Sequence, residues 1–135
     1  MRLYVIFDNN ISEIWDLSFI KGVFRVKISI IGAGNVGSLA AMRIAADGLG
    51  EVLLIDVVKG LALGKALDLE DARPLLKSNY SIKGSDDFAQ VKDSEIVVVT
   101  AGLARKPGMT REELLVNNAQ ILKDVLILTV EKNTL

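Results

Sequence analysis

Three glycines stand at the spacing G-x-G-x-x-G in Gly32-Ala33-Gly34-Asn35-Val36-Gly37, and a carboxylate, Asp56, follows nineteen residues after the last of them. Such a string alone carries little information. It gains chemical meaning when the first glycine ends a strand, the third lies inside the next helix and the acid closes a second strand. Each position then has its own physical reason. Gly32 permits the sharp strand-to-helix turn, Gly34 lets a pyrophosphate approach the backbone, and Gly37 lets the helix lie tightly on the strand. The free N–H groups at the start of that helix face the phosphates, helped by the helix dipole. Asp56 is placed to accept hydrogen bonds from adenine ribose hydroxyls. Its charge repels a 2′-phosphate and Val57-Val58 supply no compensating cation, which favours NAD over NADP. Three other readings stay open: a packing turn without ligand, a solvated strand-end carboxylate, and a site for the methyl donor S-adenosylmethionine. The glycine at the sixth position and the loop that follows argue against the last.

A second group of chemically capable residues lies in Thr100-Ala101-Gly102-Leu103-Ala104-Arg105-Lys106-Pro107-Gly108-Met109-Thr110-Arg111. Arg105, Lys106 and Arg111 place three cations within seven residues, around a Pro107-Gly108 turn. Guanidinium groups make bidentate pairs with carboxylates, so a mobile loop carrying two of them suits a small dicarboxylate. A solvated basic loop is the alternative, and Lys106 receives no role.

These groups need elements to hold them. Residues 26–31 form a β-branched run ending on Gly32, and residues 35–47 read as a helix with Val36, Leu39, Ala40 and Ile44 on one face and Gly48 as its stop. Residues 51–55 are a second strand closed by Asp56, and residues 60–71 a second helix ending before Pro74. Residues 80–83 alternate as a short edge strand, whereas the run 96–100, apolar on both faces, predicts a strand in the middle of a parallel sheet. After a loop over 101–109, Thr110-Arg111-Glu112-Glu113 has capping-box spacing and opens a helix running towards Leu126. The alternation predicts an α/β fold of Rossmann type, a doubly wound parallel sheet with crossover helices.

Residues 1–25 differ in style. They hold the single Trp and three of the four Phe, and read as an N-terminal extension, with residues 3–7 a candidate edge strand and 14–20 a candidate short helix. The dinucleotide-binding domain is expected over residues 26–127, with a divergent tail at 128–135.

Composition bounds the rest. With 16 Lys and Arg against 17 Asp and Glu, the net charge of −1 gives no reason to expect nucleic acid or an anionic membrane as partner. No apolar run approaches the roughly 20 residues that span a bilayer. There is no cysteine, so disulfides and thiolate metal sites are excluded, and a reducing cytoplasm is the expected compartment. No metal is expected. Histidine is absent too, so acid–base chemistry by imidazole is not completed within these residues.

The segment from Val26 through Gly37, the run Gly64-Lys65-Ala66-Leu67-Asp68-Leu69, and the stretch from Ile96 through Ala119 together resemble the N-terminal half of the lactate and malate dehydrogenase family. Ala104-Arg105-Lys106-Pro107-Gly108-Met109-Thr110-Arg111 points to the malate branch, because the lactate branch typically carries a neutral glutamine in place of the first arginine. The resemblance implies NAD as cofactor, held by residues Gly32, Ala33, Gly34, Asn35, Val36, Gly37 and Asp56. It implies interconversion of malate and oxaloacetate by hydride transfer, a tricarboxylic acid cycle reaction, and a homo-oligomer. Arg105 resembles the arginine that pairs with the distal carboxylate of the substrate. Arg111 resembles the one that closes over it and polarises the carbonyl. Asn118, in Val116-Asn117-Asn118-Ala119, resembles an asparagine near the cofactor, with a water-facing side chain as the alternative.

The family chemistry also needs a histidine acid/base and a further arginine from a substrate domain. The expectation is therefore a truncated NAD-binding portion with negligible turnover alone. A non-enzymatic dinucleotide-binding module, or a fragment needing a partner chain, is the rival from another class. A lactate dehydrogenase-like 2-hydroxy acid dehydrogenase is the rival within the class.

Overall fold

A computed structural model describes residues 26–76 and 80–133. The candidate strand at 3–7, the candidate helix at 14–20 and the extension to which they belong lie outside the described residues.

The two strands that frame the glycine turn are the best buried. In β1 (Lys27–Ile31) and β2 (Glu51–Ile55) every residue but the first is buried, as befits strands apolar on both faces and covered on both. They pair in parallel, Ile28 opposite Val52 and Ile31 opposite Ile55. β3 (Ile82–Ser85) joins β2 in parallel and β4 (Ile96–Val99) joins β1 in parallel, which gives the order β3-β2-β1-β4. The expected doubly wound parallel sheet is therefore present, and residues 80–83 did mark an edge strand, shifted two residues onward.

One expectation about the sheet is corrected. The run 96–100 was expected in the middle, yet β4 is the outer strand beside β1 among the described residues. Of its four residues only Val98 is buried. Apolar character on both faces reports what lies above and below a strand, and says nothing of what lies beside it.

The helices divide between the two faces. α1 (Asn35–Ala46) and α2 (Leu61–Asp71) cover the face bearing Ile28, Ile30, Val52, Leu54 and Ile82. α1 makes this contact with Gly37, Ala41 and Ala45, four residues apart, while Val36 and Leu39 are exposed. Of the expected apolar face, Ala40 and Ile44 are partly buried against the core, and only Val36 and Leu39 fall outside it. A helix that must lie close on a sheet turns its small residues inward, and larger side chains are displaced to the flank. Gly48, at φ +68°, ends the helix in the left-handed conformation as expected. The opposite face carries Ile31, Leu53 and Ile55, covered by a 3-10 turn over Phe88–Val91 and by α4 (Arg111–Asn133).

α2 ends at Asp71, before Pro74 as expected, and three local features add to the sequence reading. Pro74 is the second residue of a further short helix, α3 (Arg73–Leu76), where a proline costs no hydrogen bond. The Asp87 side chain accepts from the Ala89 N–H and caps the 3-10 turn. α4 continues seven residues beyond the expected end at Leu126. Its start was foreseen: Thr110 Oγ1 accepts from the Glu113 N–H at 3.1 Å, and the Thr110 N–H donates to Glu113 Oε2 at 2.8 Å. Among the described residues no helix is long and apolar enough to cross a membrane.

Candidate functional site

The carboxyl ends of the parallel strands collect along one rim, where ligands of open α/β sheets bind. The glycine turn leaves β1 at that rim, Asp56 leaves β2, and Thr100 with the arginine loop leaves β4.

The N–H and carbonyl groups of Gly32 and Ala33 are all hydrogen-bonded. The Gly32 N–H donates to the Ile55 carbonyl at 2.7 Å. The Gly32 carbonyl accepts from Thr100 Oγ1 at 3.0 Å. The Ala33 N–H donates to Asp56 Oδ2 at 2.7 Å, and the Ala33 carbonyl accepts from Ser38 Oγ at 3.1 Å. Asp56 Oδ1 takes a second backbone donor, the Val58 N–H, at 2.9 Å. Each carboxylate oxygen keeps a further lone pair for an external hydroxyl.

The three glycines are present for different reasons. Gly32 has φ +109°, a region closed to most side chains, and a Cβ there would sit 2.7 Å from the Ala101 nitrogen and 2.8 Å from Thr100 Oγ1. A Cβ on Gly37 would overlap the Gly32 carbonyl oxygen and come within 2.7 Å of Thr100 Oγ1. Both are thus demanded by internal packing. Gly34 is not: a Cβ there meets nothing within 4 Å. Gly34, Asn35 and Val36 are exposed, while Ala33 is fully buried.

Gly34 is also the N-cap residue of α1, with no side-chain cap and no acid in the first turn. α4 is different, since Thr110 and Glu113 occupy its start. The first N–H groups of α1 are left to an external acceptor, in the field of the helix dipole. A pyrophosphate fits this cradle on three counts: open space over Gly34, unspent donors, and no fixed negative charge in the first turn.

The arginine loop is built more loosely. Arg105 is exposed and its Nε donates to the Met109 carbonyl at 3.0 Å, which closes the loop on itself. Arg111, the first residue of α4, is exposed, and no ion pair to it is formed among the described residues. The base of the loop is tied down by Asn118. Its Oδ1 accepts from the Leu103 N–H at 2.6 Å and its Nδ2 donates to the Leu103 carbonyl at 3.3 Å. Asn118 is half-buried, so it is not the water-facing asparagine of the alternative reading. An open depression of about 700 Å³ lies beside the loop, lined by Lys106, Met109, Glu112, Glu113 and Val116 among others.

The sequence reading passed over Thr100 and Ser38, the two hydroxyls that stitch the turn. Their one available signal was position: a threonine ending a strand beside the turn, and a serine four residues after Gly34, inside the helix. Among the described residues no group of three or more acidic side chains gathers to hold a metal ion.

Comparison with known proteins places this rim in context. Residues 26–134 match the family model of the lactate/malate dehydrogenase NAD-binding domain. The malate dehydrogenase of Chlorobium phaeovibrioides is 54% identical over 101 residues, which is 74% of this chain and 33% of that protein. The crystal structure of malate dehydrogenase from Cryptosporidium parvum superposes with a TM-score of 0.72 at 42% identity, covering 82% of this chain and 35% of that one. That of the Archaeoglobus fulgidus malate dehydrogenase in complex with NADH superposes with a TM-score of 0.71 at 42% identity, covering 81% and 37%. The chain spans about a third of the length of the curated relatives it matches.

Proposed function

This chain belongs to the lactate/malate dehydrogenase family through its NAD-binding domain, and from that premise we propose that it binds NAD for the interconversion of malate and oxaloacetate. The observation that carries the cofactor half of this reading is Gly34. It is the one glycine of the three whose missing Cβ relieves no internal contact, and it stands at an uncapped helix start. We assign the pyrophosphate to Gly34, Asn35 and Val36 and the adenine ribose to Asp56, with Gly32, Ala33 and Gly37 shaping the turn. Asn118 serves the same side of the site through the Leu103 backbone that it holds.

The substrate half rests on Arg105 and Arg111. Both are exposed, Arg105 on the loop that leaves the strand next to β1 and Arg111 at the start of the helix that follows it, and both can meet a carboxylate in bidentate fashion. The malate dehydrogenase relatives at about half identity support the malate branch over the lactate one. The bound cofactor supplies or accepts hydride, and these residues bind and orient. With no histidine in the 135 residues, an imidazole base is not among them. A cytoplasmic place in the tricarboxylic acid cycle and self-association go with this proposal.

Fluorescence titration with NADH and NADPH tests it. The expected result is saturable NADH binding, at least tenfold tighter than NADPH, with the preference shrinking in Asp56→Ala. Absence of saturable NADH binding to the folded chain overturns the proposal.

A further inference from the structure

The peptide that joins Gly32 to Ala33 is gripped from both neighbouring strands. Its carbonyl oxygen accepts from Thr100 Oγ1, at the end of β4, and its N–H donates to Asp56 Oδ2, at the end of β2. We propose that these two side chains are the jaws of a clamp on the Gly32–Ala33 peptide. Thr100 is then a positioning residue that sets how the turn meets the cofactor's pyrophosphate. The inference rests on the dinucleotide reading above and assigns a residue that neither the glycine motif nor the arginine loop includes.

The geometry leaves the hydroxyl little other use. The Ile31 carbonyl already accepts the Thr100 backbone N–H at 2.8 Å, and Thr100 Oγ1 lies 3.2 Å from that oxygen against 3.0 Å from the Gly32 oxygen. The Gly32 carbonyl also lies beneath Gly37, where a Cβ would overlap it. The hydroxyl therefore packs into the one gap where the turn, the first helix and β4 meet.

Glycine at φ +109° has wide conformational freedom, so the direction of its peptide is decided by what holds it. Releasing the carbonyl lets the peptide rotate about its flanking bonds. That rotation moves the Ala33 N–H off Asp56 and redirects Gly34 and the first N–H groups of α1. Asp56 would then lose its place against the ribose by the same motion. One hydroxyl at the end of β4 thus links phosphate and ribose recognition.

Three substitutions separate hydroxyl, shape and fold. Thr100→Val keeps the volume and removes the donor, Thr100→Ser keeps the donor and removes the methyl, and Thr100→Cys leaves only a weak donor. NADH binding is measured by fluorescence at a temperature where circular dichroism shows each variant folded. Loss of one hydrogen bond of ordinary strength corresponds to NADH binding about five- to tenfold weaker in the valine variant. The serine variant is expected within twofold of the parent and the cysteine variant between the two. A folded valine variant within twofold of the parent overturns the proposal, as does a serine variant as weak as the valine one. Should the valine variant not fold, the serine and cysteine pair decides on the same terms. Amide exchange at Ala33 reads the clamp without cofactor. Faster exchange in Thr100→Val supports it and unchanged exchange overturns it, even if the parent chain binds no NADH.

Discussion

The glycine turn and the arginine loop leave adjacent strands at the same rim, yet they are built to opposite rules. In the turn, successive peptide groups are bonded to the ends of two strands and to one helix, and Gly32, Ala33 and Gly37 are buried. In the loop, residues 104–108 are all exposed, and the ties are the Asn118 carboxamide at Leu103, the Met109 N–H on the Lys106 carbonyl and the Arg105 side chain on the Met109 carbonyl. The difference follows the ligands that each is proposed to meet. A pyrophosphate cradle works by fixed backbone dipoles, which must be in place before the ligand arrives. A carboxylate clamp works by long side chains that can travel.

The comparison can be broken at its stiffest point first. Gly37→Ala places a Cβ on the Gly32 carbonyl, and α1 cannot retreat without uncovering Ile30 and Leu54. Overpacking of this kind costs about 3 kcal/mol at the upper end. The expected outcome is a large drop in the thermal midpoint together with loss of NADH binding. Undiminished stability would show that the turn is less rigid than its contacts imply.

Gly34→Ser separates ligand from fold. A Cβ there meets nothing, and serine is a good N-cap, so stability in urea should change by less than about 0.5 kcal/mol or rise slightly. NADH affinity should nonetheless fall by at least tenfold, because the side chain and its oxygen occupy the phosphate approach. Affinity retained in this variant would remove the observation on which the cofactor reading stands.

Asn118→Ala sharpens the description of the loop. It deletes both bonds to Leu103, at about 1 kcal/mol net each, and should speed amide exchange at Leu103 while leaving Ala33 unchanged. Coupled acceleration at Ala33 would mean that loop and turn are one unit. The smallest effect is expected for Arg105→Ala. Its single exposed bond to Met109 is worth little, so neither the thermal midpoint nor NADH affinity should move beyond error.

Much of this arrangement was legible in the sequence where local chemistry decides. The glycines, Asp56 and the two central strands carry their own reasons, and the Thr110–Glu113 capping box is written in four consecutive residues. What could not be read there depends on distance between elements. The inward face of α1 was half read: Ala40 and Ile44 do pack on the core, but hydrophobicity ranks Val36 and Leu39 above Ala41 and Ala45, whereas close approach to the sheet favours the small pair. The outer place of β4 was misjudged because apolar pattern carries no information along the hydrogen-bonding direction. Thr100 was missed for a related reason: its partner is 68 residues away in the chain, and only the parallel pairing of β1 with β4 brings them together.

That same pairing gives the outer side of β4 a directional property. Parallel strands begin together and finish together, so a segment added in parallel beside β4 must release its own following residues at the rim that holds the glycine turn and both arginines. A segment added antiparallel would release them at the far end of the sheet, about a strand length away. The backbone ladder therefore acts as a polarity filter. Of the two ways to lengthen this sheet, only one delivers new chemical groups to the place where the existing ones converge.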